Sequence, residues 1–238
     1  MLVGHVTDFV RIRDDGDVQL VAMANAYDSG FSTCYPPGSR LVLDALDAAW
    51  TASSGPLTER LRDAFDRVRQ RFVAEAPALV PCDPYFPEAP GAVLLAIARE
   101  GTTLHAVWIG GDIAFLVRGA RAIAETTPHT LYERVRQENP GVAIDIGELS
   151  NIISRTIGPR ADDRDPPSFA SFKAAAGDAL LVMSRAGLRS GVTVEEAAAA
   201  TAGRLRPVAV AEHLAELAAS RGNPAYVAVA VLQFDGVE

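Results

Sequence analysis

Apolar and polar positions change period several times along this chain, and each change marks an element. Leu2 to Ile12 and Val18 to Ala24 are strand-like runs separated by Arg13-Asp14-Asp15-Gly16-Asp17. The Asp-Gly step predicts a β-hairpin at the start of the chain. A turn-rich interval from Tyr27 to Gly38 follows. Ser39 to Trp50 then places Leu41, Leu43, Ala45, Leu46, Ala49 and Trp50 on a helix buried on one side, with Ser39 as its expected N-cap. A second helix is expected from Pro56, where a missing amide hydrogen costs nothing, to about Glu75. Leu57, Leu61, Phe65, Val68 and Phe72 line one face of it and charge lines the other.

Pro77, Pro81, Pro84, Pro87 and Pro90 bar regular helix between them, so Pro77 to Pro90 reads as a surface connection. Ala92 to Arg99, Thr103 to Ile109, Ile113 to Val117 and Arg121 to Ala124 are strand-like runs broken by glycines, and read together as an antiparallel meander. Leu131 to Gln137 suits a short helix. Phe169 to Ala174 and Ala179 to Met183 suit strands, and Thr193 with Glu196 forms a capping box before an alanine-rich helix. Pro207 to Arg221 is a further helix, and the apolar run Tyr226 to Phe234 predicts a buried central strand. Two blocks of strands, each with a helix pair, predict an α+β fold: a four-layer α-β-β-α sandwich of two antiparallel sheets flanked by helix pairs. There is no internal repeat. A division into two domains near Pro77 to Pro90 would leave the first half two strands, too few for a stable sheet, so residues 1–238 are expected to form one domain.

Composition narrows the partners. A net charge of −8, with Lys173 the sole lysine, gives no basic footprint for nucleic acid. Cys34 and Cys82 stand far apart without a Cys-x-x-Cys pattern, and no secretory segment is recognised, so a soluble protein of a reducing cytoplasm is expected. No apolar run approaches the roughly 20 residues a membrane span requires.

Several segments resemble the metal-dependent PPM, or type 2C, serine/threonine protein phosphatases, across nearly the whole chain. His105 to Gly119 has the family's strand, glycine-aspartate turn and strand, here Gly110-Gly111-Asp112 with the usual Ser-Arg lost. Glu125 to Leu131 is similar to the threonine, aspartate-histidine and serine or threonine segment. Ile153-Ser154-Arg155-Thr156-Ile157-Gly158 is similar to the serine or threonine, arginine, hydrophobic-glycine segment. Gly177 to Leu188 and Arg221 to Val231 complete the family order.

The resemblance implies two divalent cations, Mg²⁺ or Mn²⁺, held by carboxylates and bridging a water that attacks a phosphoserine or phosphothreonine phosphorus. The residues at those positions are different here. The first Asp-Gly pair corresponds to Asn25 and Ala26, the aspartate of a Ser-Asp-Gly to Arg185 after Ser184, and the aspartate of a final Asp-Asn to Ala225. A +2 ion ~4 Å from a guanidinium would be repelled by about 8 kcal/mol at an effective dielectric of about 20, where aspartate would attract by as much. No cofactor is therefore expected, and Mg or Mn only if Asp8, Asp28 or Asp112 rebuilds a site. His5, His105, His129 and His213 share no spacing and are read as neither ligands nor bases. Asp162, Asp163 and Asp165 beside Arg160 and Arg164 read as a solvated loop. Three functions stay open. One is a catalytically inactive, phosphatase-like regulatory or phosphoprotein-binding module, with Arg185 available to a phosphate and a phosphoprotein or serine/threonine kinase as partner. The second is an active metal-dependent phosphatase with relocated ligands, and the third a structural subunit that keeps only the sandwich.

Overall fold

Period-two alternation on strands buried on both faces decides this architecture. In the computed structural model the described residues are 2–3, 9–27, 36–79, 91–143, 149, 152–158, 165–185, 192–202, 206–221 and 228–234. The strands are β1 (Leu2–Val3), β2 (Val10–Asp14), β3 (Val18–Tyr27), β4 (Gly91–Glu100), β5 (Thr103–Ile109), β6 (Ile113–Arg118), β7 (Arg121–Glu125), β8 (Ser168–Lys173), β9 (Ala179–Met183) and β10 (Val229–Gln233). The helices are α1 (Pro36–Ala52), α2 (Leu57–Glu75), α3 (Leu131–Glu138), α4 (Val194–Ala202) and α5 (Pro207–Ser220).

The strands form two five-stranded antiparallel sheets, ordered β1-β10-β9-β6-β7 and β2-β3-β4-β5-β8. On β3, Leu20, Ala22, Ala24 and Ala26 pack under α1 and α2, while Val21 and Met23 point between the sheets. On β6 and β9, Phe115, Val117, Leu181 and Met183 pack under α4 and α5, and Leu116, Leu180 and Val182 meet the other sheet. Odd and even residues of one strand thus belong to different cores, which is why these runs read as continuous apolar stretches. The result is the α-β-β-α sandwich expected from the sequence.

Three expectations are corrected. Leu2 to Ile12 is not one strand: β1 pairs with β10 in one sheet and β2 with β3 in the other. The hairpin at Asp15-Gly16 joins β2 to β3 only. The predicted meander is two hairpins in different sheets, β4-β5 and β6-β7, because Gly110-Gly111-Asp112 carries the chain across the sandwich. Ser39 is no N-cap. It lies inside α1, fully buried, where its Oγ accepts the main-chain N–H of Ala26 at 2.9 Å. The Thr193-Glu196 capping box is present, with reciprocal bonds of 3.0 and 3.1 Å. Among the described residues no helix is long and apolar enough to cross a membrane.

Candidate functional site

Three chain segments from both sheets converge at one edge of the sandwich. The end of β3 carries Asn25, the crossover between β5 and β6 carries Asp112, and the end of β9 runs into Ser184-Arg185. Gly110 makes the crossover possible. Its φ of 108° is open to glycine, and a Cβ there would stand 2.1 Å from Cγ1 of Val93 on β4. Ser184 is pinned to β10 by its N–H to the Ala228 carbonyl at 2.9 Å and by the Ala228 N–H to its Oγ at 3.0 Å.

Asp112 is only 3% exposed, and its carboxylate is surrounded by donors. The Asn25 amide donates to both oxygens, at 3.1 and 2.9 Å, and the main-chain N–H of Arg185 donates to Oδ1 at 3.1 Å. The Arg185 side chain lies across Gly111, its Cδ 2.5 Å from where a Cβ would sit. Burial pushes the Asp112 carboxyl up to about 6, against the lowering effects of the Arg185 N–H, the Asn25 amide and the Arg185 charge. An amide at position 25 gives this buried carboxylate two donor contacts where a second carboxylate would repel it.

A second cluster lies behind the crossover. The His129 main-chain N–H donates to the Gly110 carbonyl at 2.7 Å, and the Gly110 N–H donates to His129 Nδ1 at 3.2 Å. With Nδ1 accepting, the neutral ring carries its proton on Nε2, which lies 2.8 Å from Ser168 Oγ. The histidine therefore donates to the serine and is not placed as its base, so this pair is no nucleophilic dyad. Burial, with the nearby Arg155 charge, pushes the His129 imidazole down to about 4, Asp165 opposing. The ring stacks on Trp108 at 6.0 Å.

No protein-family model matches the chain. No curated protein matches it in sequence. Solved structures do match over nearly its whole length. The S. agalactiae serine/threonine phosphatase superposes with a TM-score of 0.78 at 18% identity, covering 98% of this chain and 96% of that one. The Mycobacterium tuberculosis serine/threonine phosphatase PstP/Ppp gives 0.71 at 23%, covering 98% and 95%. The PstP catalytic domain in complex with two manganese ions gives 0.65 at 25%, covering 97% and 92%. The chain has the PPM serine/threonine phosphatase fold. Within this PPM fold, the described residues at the convergence point offer a poor donor set for a divalent cation. Hard cations need several anionic oxygens. Here Asp112 is the carboxylate present, both its oxygens are already engaged by the Asn25 amide and the Arg185 main-chain N–H, and a guanidinium stands beside it. Among the described residues no three His, Cys, Asp or Glu side chains gather where they could hold a metal ion.

Of the residues singled out in the sequence, Asn25, Asp112 and Arg185 meet at this point, and Ala26 lies buried beside them under α1. Asp8, Asp28 and Ala225 lie outside the described residues, as do Cys34, Cys82, Asp162 and Asp163. Sequence reasoning missed two things. It offered Asp112 as a leftover ligand, whereas the structure makes it the partner of Asn25, a pairing between residues 87 positions apart. It also set His129 aside at a helix start, whereas its ring holds the crossover turn from behind. The one available signal was Asp112 standing directly after Gly110-Gly111 while position 25 is an amide.

Proposed function

We propose that this PPM-fold chain is a catalytically inactive, phosphatase-like binding module of a signalling system, whose partner is a protein such as a phosphoprotein or a serine/threonine kinase. The observation that carries this reading is the engagement of both Asp112 oxygens by Asn25 and Arg185. Binding a cation there requires breaking those bonds and placing a +2 charge near a guanidinium, with no second described carboxylate to offset the cost. In this reading Arg185 occupies the place of a lost metal ligand and meets the phosphate of a phosphorylated partner through its guanidinium. A cytoplasmic location accords with such partners.

Calorimetric titration with Mn²⁺ and turnover of p-nitrophenyl phosphate test the reading together. Neither tight manganese binding nor hydrolysis is expected, and saturable binding below the millimolar range with turnover would establish the active-enzyme reading through Asp8 or Asp28. Phosphopeptide binding that disappears in Arg185→Ala separates a binding module from a purely structural subunit.

A further inference from the structure

A cavity of about 100 Å³ opens beside His129, between the start of α3, the segment Ser154-Arg155 and the start of β8. Its polar lining is biased in one direction. Ser168 Oγ accepts from His129 Nε2, so its own O–H is left to donate. Thr130 Oγ accepts the Glu133 N–H at 3.2 Å as the N-cap of α3, and its hydroxyl proton is likewise left over. Ser154 adds a third hydroxyl, and Arg155 and Arg134 add guanidinium groups. Among the described residues no carboxylate lies within 4 Å of Arg155. The carboxylate that does line the cavity, Glu133, is engaged by Arg136 at 2.7 Å, and Arg134 is 4.0 Å from Glu138 at an exposed surface. One oxygen of the lining carboxylate is thus engaged by Arg136, while hydroxyl and guanidinium donors line the space.

We propose that this cavity is an oxyanion site that takes the phosphoryl group of a phosphate monoester. Arg155 supplies the charge, and the Ser168 and Thr130 hydroxyls supply directed hydrogen bonds. The site is separate from the Asn25–Asp112 point and stands whether or not that point binds metal. His129 connects the two, since its ring touches Ser168 on one side and the Gly110 turn on the other.

The test is an NMR titration of the full chain with inorganic phosphate and, separately, with O-phosphoserine, reading backbone amides and the His129 imidazole. Saturable shifts at Thr130, Ser154, Arg155 and Ser168 are expected, with a rise in the His129 pKa because an anion beside the ring favours imidazolium. Binding of both ligands identifies the phosphoryl group as what is recognised. Binding of inorganic phosphate alone would overturn the ester and leave a free-anion site. Arg155→Ala should weaken binding by about tenfold or more, Arg155→Lys by less, and Arg121→Ala on exposed β7 not at all. Saturation without those shifts, or equal loss in Arg155→Ala and Arg121→Ala, would overturn the assignment and reduce the effect to general charge. Shifts confined to Asp112 and Arg185 would move phosphate recognition to the other site.

Discussion

The Asn25 amide donates to both oxygens of Asp112, at 3.1 and 2.9 Å, across the 87 residues that separate the end of β3 from the crossover turn. A carboxylate that in isolation would be costly to bury is thereby held by a neutral side chain and one main-chain N–H. Two consequences can be measured directly.

Asn25→Asp places a second carboxylate against the first. Without a cation the two must share a proton at neutral pH, and the variant should lose about 3 kcal/mol of stability at pH 7, less at pH 5. Mn²⁺ should then raise the Tm of the variant more than that of the parent, because only the variant offers paired anionic oxygens. Thermal unfolding at both pH values, with and without Mn²⁺, checks this. Equal stability of variant and parent at pH 7 would show that the amide is not matched to Asp112.

Asp112→Asn should make the protein more sensitive to pH, not less. The Asp112 carboxyl is raised from 3.8 to about 6 on folding, so its burial penalty is absent below the unfolded value and grows as pH rises through that interval. At full strength it is of the order of 3 kcal/mol. His129 is lowered from 6.5 to about 4, so it withholds stability in acid and restores it as pH rises over an overlapping range. The two slopes oppose each other. Removing the Asp112 titration leaves the His129 slope exposed, and urea unfolding at pH 4.5, 5.5 and 7 should show stability rising with pH more steeply in the variant.

Gly110 and Gly111 should respond unequally to alanine. At Gly110 the φ of 108° and the Val93 side chain and backbone, within 2.1 to 3.3 Å of the added carbon, leave no room, and a loss of about 2–4 kcal/mol is expected. At Gly111 the obstacle is the Arg185 side chain, which can swing aside, so the cost should stay below about 1 kcal/mol. The Arg185 amide resonance should nevertheless shift, which NMR would detect.

Ser39→Ala tests the corrected role of that residue. Inside α1, alanine is the better helix former, so a local effect would stabilise. Loss of the buried bond to the Ala26 N–H should instead cost about 1–2 kcal/mol and disturb the neighbouring Asn25. A gain in Tm would mean that the tertiary bond contributes nothing.

Much was legible in the residues themselves. Apolar spacing on α2, the Asp15-Gly16 turn, the Thr193-Glu196 capping box and the strand Ala179–Met183 depend on neighbours in sequence, and local backbone preference with burial period suffices to place them. That positions 25 and 185 carry an amide and a guanidinium was legible too. What the sequence could not supply is which strands share a sheet. β5 and β6 are separated by three residues yet lie in different sheets, and Gly110 between them combines a positive φ with an approach to Val93 that leaves no room for a Cβ. The same holds for Asn25 with Asp112 and for His129 with Ser168. Hydrogen bonds between distant residues follow from how layers stack, and burial in that stack, absent from any one segment, turns a lone aspartate into a carboxylate held by an amide and a main-chain N–H.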